Sequence, residues 1–164
     1  MPDTDLTVAA LVERDGRFLV VEERASGRLV LTQPGGHIEA GESPEEAAAR
    51  EVFEEAGCVV SVREPVGAYL WHDPNGRQNL RIVFVAALLH EQPLAELDEV
   101  IEAVHWLSYA ELEAAAARHR SPSVLRSVDD FLAGERQPRS LFAGCARAGQ
   151  ALDTALASAS LLHA

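Results

Sequence analysis

The first third of the chain alternates short apolar runs with turn-forming residues. The segments LTVAALVE (6–13) and RFLVVEE (17–23) are predicted to be two strands joined by an Asp-Gly turn (15–16). An Asp-Gly pair between apolar runs indicates a hairpin, because such a tight turn needs positive φ. A third short strand is predicted over 28–33, where a Pro-Gly-Gly run (34–36) ends it.

One helix is predicted over residues 44–56, because its two ends carry recognisable caps. Ser43 and Glu46 form a Ser-x-x-Glu capping box, Pro44 suits the first helical position, and Gly57 supplies a left-handed stop. The apolar positions that recur every four residues and should face a core are Ala48, Val52 and Ala56. We expect the glutamates Glu51 and Glu55 to lie on another side of the helix.

The remainder of the chain predicts more strands and then helices. The predicted strands are 58–71, 79–91 and 101–108, and the predicted helices are 108–119 and 121–134. This order favours an α/β or α+β sandwich, in which helices flank a mixed β-sheet. We expect one domain over 1–140, followed by an Ala-rich tail over 141–164 whose Leu and Ala spacing permits a helix.

Composition and charge narrow the function classes. The chain has 164 residues, a net charge of −12 and two cysteines, and its pI is about 4.8. An acidic chain is unsuited to a nucleic-acid polymer, which needs a positive surface. The start MPDTDLT lacks a signal-peptide pattern, and the longest apolar run, 82–89, is too short to span a bilayer. We therefore expect a cytoplasmic protein, monomeric or homodimeric, that does not enter a membrane.

Acidic residues crowd the C-terminal end of the predicted helix, where the helix dipole disfavours negative charge. Glu51, Glu54 and Glu55 stand at spacings of three and four, and Arg50 is the one base within the helix. A solvated helix face is one interpretation. The other is a hard divalent cation, Mg²⁺ or Mn²⁺, held by carboxylate and carbonyl oxygens and able to accept the phosphates of an anionic substrate.

The spacing around this helix resembles a known family. Gly36 is followed by five residues and Glu42, then by seven residues and the run REVFEEAGC (50–58). This resembles the Nudix box, G-x5-E-x7-R-E-U-x-E-E-x-G-U, in which U is bulky and apolar, with Cys58 as the one soft departure. The resemblance covers about 6–141 and extends to bacterial phosphatases of the family, which share the Gln-Pro-x-Gly-His run and the Arg-Ser-Pro segment (120–122).

The resemblance implies a metal site and a catalytic network. The metal ligands would be the three box glutamates, Glu51, Glu54 and Glu55, with the Gly35 carbonyl. Arg50 would orient the acids by ion pairing, and Glu42 would contact Arg50 in that network. Glu54 is the first candidate for the general base. The second candidate lies among the loop acids, for which a solvated loop is the alternative: Asp98, Glu99 and Glu102.

Other residues are candidates for holding a nucleotide or small diphosphate substrate. Arg81 and Arg28 could bind phosphate, although either could be an ordinary strand-end charge. His37 could touch phosphate, and Gln33 with Thr32 could read a ring edge. Three aromatic residues could either stack on a nucleobase or belong to the core: Tyr69, Trp71 and Phe84.

The implied activity is Mg²⁺-dependent cleavage of phosphoanhydride bonds in nucleoside di- or triphosphates, or in related diphosphates such as a thiamine-precursor pyrophosphate. The alternatives are another specificity within the family, such as ADP-ribose or an oxidised nucleotide, or a binding module without catalysis.

Overall fold

The computed structural model describes residues 4–73, 75–92 and 96–142. Six strands and three α-helices follow the predicted order of elements. The strands are β1 (Thr4–Arg14), β2 (Arg17–Ala25), β3 (Arg28–Thr32), β4 (Cys58–His72), β5 (Gln78–Glu91) and β6 (Ile101–Ser108). The helices are α1 (Pro44–Ala56), α2 (Tyr109–Ala114) and α3 (Ser123–Leu132), with 3-10 turns at Ala116–Arg118 and Arg139–Phe142.

The strands form a mixed sheet in the order β3-β2-β1-β5-β4, and β6 pairs with the other side of β2. The predicted hairpin is present, since Asp15 and Gly16 have φ values of 52° and 74°. Its pairing lasts only two residue pairs, Glu13 with Phe18 and Arg14 with Arg17. Over the rest of its length β1 pairs in parallel with β5. The sheet therefore has two parts, β1-β5-β4 and β3-β2-β6, which meet where β1 enters the hairpin.

Helix α1 has the predicted bounds and caps. The Ser43 hydroxyl accepts from the Glu46 amide, the Glu46 carboxylate accepts from the Ser43 amide, and Gly57 has φ 62°. Ala48 and Val52 are fully buried. Glu51 and Glu55 were expected on a different side of the helix from these apolar residues, and this expectation is wrong. Being three residues from Ala48 and Val52 respectively, the two acids share the buried face.

The C-terminal helices are shorter than predicted. Helix α2 ends at Ala114 and a 3-10 turn follows, although the alanine-rich run favours a longer helix. The chain leaves the helix because His119 bridges to Leu31 and the Arg120 amide donates to the Leu31 carbonyl of β3. Helix α3 packs on β4 and β5, and Gly134 just beyond it has φ 84°.

Residues 143–164, to which the tail prediction applies, lie outside the described residues. Among the residues that the structure does describe, none of the helices is both long and apolar enough to cross a membrane.

Candidate active site

Arg50 supplies the positive charge that lets the acids at the end of α1 lie close together. Its guanidinium donates to both oxygens of Glu42, at 2.7 and 3.0 Å, and to the carboxylates of Glu51 at 2.9 Å and Glu54 at 3.2 Å. It also donates to the His37 carbonyl, at 3.0 Å. The contact with Glu42 that the resemblance implies is therefore present. One cation links the start of α1, its end and the preceding loop, which fixes the orientation of Glu51.

The loop before α1 is packed directly against Glu51. A Cβ atom added at Gly36 would stand 2.6 Å from Oε1 of Glu51, and one at Gly35 would stand 2.1 Å from the Val8 carbonyl oxygen. Neither glycine has positive φ. They are needed because only a residue without a side chain lets the loop pass between β1 and the acid.

Glu55 is the most enclosed of the box acids. It is 4% exposed, and its Oε2 accepts a hydrogen bond of 3.0 Å from the Gly35 amide. Burial raises the pKa of this carboxyl to about 8, against the lowering effect of the Gly35 hydrogen bond, and the nearby charges of Glu51 and Glu23 raise it further. The ionised form of Glu55 therefore calls for an additional positive charge.

Arg81 supplies one buried cation to the same region. It is 6% exposed and donates to the Thr32 hydroxyl at 3.1 Å and to the Gln33 carbonyl at 2.8 Å. Its Nε has no hydrogen-bond partner in the described part of the chain. Burial lowers the pKa of Arg81 to about 10, so the side chain remains charged at neutral pH.

Glu51, Glu55 and Arg81 line a cleft of about 300 Å³, which neither Arg50 nor Glu54 lines. It contains three residues that the sequence prediction either missed or ranked second: Glu23, Asp98 and Arg120. Glu23 is 4% exposed and forms an ion pair with Arg120. The available sequence signals for this pair were an acid just after the apolar part of β2 and the arginine of the Arg-Ser-Pro segment.

The structure separates several predicted site residues from this cleft. Glu102 does not line it and instead pairs with Arg24 at 3.0 Å, which does not favour its prediction as a catalytic residue. Arg28 is exposed at the start of β3 and does not line the cleft. His37 does line it, with an exposed side chain 3.4 Å from Asp5.

The structure also places Gln33, a predicted substrate-binding residue, away from the cleft surface. Gln33 is 1% exposed, and its amide nitrogen donates to the Val124 carbonyl at 2.8 Å and to the Ser127 hydroxyl at 3.2 Å. The side chain therefore holds α3 against the sheet. Phe84 is likewise fully buried in the core.

The acids are suited to binding a divalent cation, although they do not form a complete set of metal ligands. Within residues 4–73, 75–92 and 96–142, no three His, Cys, Asp or Glu side chains are gathered closely enough to hold a metal ion. Glu54, whose side chain is 47% exposed, pairs with Arg50 instead. The donors nevertheless fit, since Glu51 and Glu55 are hard oxygen ligands in need of positive charge. In addition, no donor among the described residues bonds the Gly35 carbonyl.

Comparison with known proteins agrees with this arrangement. A family model described as NUDIX domain matches residues 3–128. This chain belongs to the Nudix hydrolase family. Phosphatase NudJ of Escherichia coli strain K12 is 37% identical over 133 residues, which cover 81% of this chain and 86% of NudJ. The family match and this similarity support a hydrolase, and Nudix proteins generally use divalent metal ions.

Solved structures of Nudix proteins share the fold. A NUDIX hydrolase from Nitrosomonas europaea has a TM-score of 0.81 and 38% identity, with 85% of this chain and 95% of that chain covered. A MutT NUDIX hydrolase from Burkholderia pseudomallei has a TM-score of 0.66, covers 78% and 98% of the two chains, and at 23% identity shows the fold alone. The predicted mixed sheet with flanking helices is thus confirmed as a Nudix-type sandwich.

Proposed function

We propose that this Nudix hydrolase cleaves a phosphoanhydride bond in nucleoside di- or triphosphates, or in a related small diphosphate, with Mg²⁺ as its cofactor and Mn²⁺ as a substitute. The observation that carries the proposal is the pair of nearly buried carboxylates, Glu51 and Glu55, facing the same cleft as the buried cation Arg81. Such a site can take both a divalent cation and the phosphates that the cation neutralises. Nudix hydrolases act on small nucleotide substrates, and the similarity to a phosphatase supports the same substrate class.

Glu51, Glu55, the Gly35 carbonyl and Glu54 would hold the cation. A bound divalent ion supplies charge neutralisation at phosphoryl oxygens and lowers the pKa of a coordinated water. Arg50 keeps Glu51 aimed at the cleft through the contact to Glu42, so that the ligand geometry is set before the cation arrives.

The remaining residues act on the substrate and on water. Arg81 provides fixed positive charge beneath the phosphates, where burial strengthens its field. Glu54 is exposed enough to contact water, and in our proposal it accepts the proton as the water oxygen bonds to phosphorus. The anhydride P–O bond breaks, and the leaving phosphate keeps its electron pair.

A phosphate-release screen tests this proposal. We expect purified protein with Mg²⁺ to release inorganic phosphate or pyrophosphate from nucleoside di- or triphosphates, and excess EDTA to stop the release. Glu55→Gln should lower turnover by at least about 10²-fold, the scale of losing one electrostatic contact to the transition state.

Glu102→Gln is the matched control, because Glu102 pairs with Arg24 away from the cleft. It should retain turnover near that of the wild type. Turnover that resists EDTA, or that is equal in Glu55→Gln and the wild type, would overturn the proposal.

A further inference from the structure

A second cavity adjoins the acidic cleft. It measures about 560 Å³, and Arg120 lines both this cavity and the cleft of the box acids. The Arg120 side chain therefore borders both spaces. We call the second space the ring pocket, and its principal lining residues are Trp71, His72, His119, Arg120, Pro122 and Leu125.

Strand register places Trp71 close to the charged part of the cleft. On the β4-β5 pair, Tyr69 stands opposite Arg81 and Trp71 stands opposite Asn79. Residues two apart on a strand project from one face, so the side chains of Trp71 and Arg81 share a face of the sheet. They are diagonal neighbours, a relationship that spans about 7–8 Å between backbones. That separation suits a substrate whose ring and phosphates are held at neighbouring points.

The ring pocket has the composition of a site for a planar, uncharged group. Of the residues that line it, Arg120 alone is an Arg, Lys, Asp or Glu, and it lies at the boundary with the cleft. Burial lowers the pKa of His119, so its imidazole is neutral at pH 7. Trp71 is half-buried and exposes part of its indole, with Pro122 and Leu125 as apolar neighbours.

The other two aromatic candidates are unsuited to this role. Phe84 is fully buried. The Tyr69 hydroxyl donates to Asp130 of α3 at 3.0 Å, and Tyr69 lines a cavity between β4 and α3 that Trp71 also lines. Of the three, Trp71 alone lines the ring pocket, which Arg120 borders together with the cleft of the acids.

We propose that an aromatic ring of the substrate, a nucleobase or a smaller heteroaromatic ring, stacks on Trp71 in the ring pocket while its diphosphate passes Arg120 into the acidic cleft. This inference rests on the proposed function and narrows its substrates to diphosphates that carry a planar ring. Arg120, which pairs with Glu23 at the boundary, can contact the phosphate nearest the ring.

Steady-state kinetics of Trp71→Ala and Trp71→Phe test the stacking role. The substrates are adenosine diphosphate, cytidine diphosphate and methyl diphosphate, which lacks a ring. Losing one stacked base costs about 1–3 kcal/mol, or about 5- to 150-fold in affinity. We expect Trp71→Ala to raise KM for the nucleotides by that factor and to leave kinetics with methyl diphosphate unchanged. Trp71→Phe should restore most of the nucleotide affinity, because phenylalanine keeps an aromatic face.

Leu70→Ala is the control, since Leu70 neighbours Trp71 but is 58% exposed and projects from the opposite face of β4. It should leave KM unchanged, and thermal melts should show that all variants fold. Equal changes for nucleotides and methyl diphosphate in Trp71→Ala, or no change in either, would overturn the inference.

A failure of the proposed function gives a different result, namely no turnover of any substrate by the wild type. Calorimetric titration with adenosine monophosphate then tests the ring pocket alone. We expect binding to the wild type that weakens in Trp71→Ala, and equal affinity in the two proteins would overturn the inference.

Discussion

Glu51 lies so close to the backbone of Gly36 that a Cβ atom at residue 36 would stand 2.6 Å from its carboxylate oxygen Oε1. The same oxygen accepts a hydrogen bond of 2.9 Å from the Arg50 guanidinium. The guanidinium thus holds Glu51 against the loop backbone. Gly36 is required because a side chain would not fit there, and not because of its φ value.

Gly36→Ala should therefore displace Glu51. We expect a loss of about 1–3 kcal/mol in the free energy of unfolding, the usual cost of inserting a methyl group into a packed site. The loss should nearly vanish when Gly36→Ala is introduced into a Glu51→Ala background, because the opposing carboxylate is then gone. Urea denaturation of the four proteins in this cycle measures both values. Equal losses in the two backgrounds would show that Glu51 is not the obstacle.

Divalent cations should stabilise the folded protein, because Glu51 and Glu55 come to line one cleft only on folding. A ligand at 100 times its Kd adds about 2.7 kcal/mol to the free energy of unfolding. We expect Mg²⁺ or Mn²⁺ to raise the Tm of the wild type, and to do so much less for Glu51→Gln and Glu55→Gln.

Calorimetric melts with Mg²⁺ and with EDTA measure this difference. Glu102→Gln, altered at an ion pair outside the cleft, should respond to the cation as the wild type does. An equal rise in Tm for Glu55→Gln would place the cation elsewhere.

The structure separates two acids, Asp98 and Glu102, that the sequence could not rank. Asp98 lines the cleft and its charge acts on Glu51, whereas Glu102 pairs with Arg24. We expect Asp98→Asn to lower kcat/KM by about 10-fold or more, the scale of a group that orients a metal site. Glu102→Asn should be near neutral. Initial rates at saturating Mg²⁺ compare the two variants, and the reverse order of effects would contradict the placement.

Local sequence patterns predicted the elements well where the controlling interactions are local. The bounds of α1 followed from Ser43, Glu46 and Gly57, whose effects act within one turn of the helix. The parallel pairing of β1 with β5 was not predictable in this way. It joins residues more than 70 positions apart, from Thr4 with Gln78 onwards, and no local pattern specifies such a partner.

The candidate site was predictable to the extent that the box motif carries it. The contacts of Arg50 with Glu42 and Glu51 were expected from the motif, and they are present. The contacts of Gln33 with α3 and of Glu102 with Arg24 were not expected, because only the folded sheet brings these partners together. A polar residue at a strand end can serve packing or a ligand, and sequence alone does not distinguish the two.

The pH dependence of the free energy of unfolding should reveal the contribution of Glu22. This residue anchors the segment before the ring pocket to β2. Hydrogen bonds from His105 and Arg118 lower the pKa of this carboxyl below 4.5. A carboxyl with a lowered pKa in the folded state stabilises the fold above its unfolded pKa, and this contribution is lost as the pH falls below 4.5.

Glu22→Gln should accordingly be less stable than the wild type at pH 7, by on the order of 1 kcal/mol. The gap should shrink between pH 4.5 and pH 3. Urea denaturation over this pH range measures the gap, and a gap that stays constant or widens at low pH would contradict the assignment.

Cation-dependent nucleotide binding tests the central claim most directly. Isothermal titration of the wild type and Glu55→Gln with a nonhydrolysable nucleoside diphosphate analogue would be run with Mg²⁺ and with EDTA. We predict binding to the wild type that needs Mg²⁺, and a marked loss of that binding in Glu55→Gln. Binding of equal strength in EDTA, or no binding to the wild type with either Mg²⁺ or Mn²⁺, would contradict the claim that the box acids hold a cation that grips the phosphates.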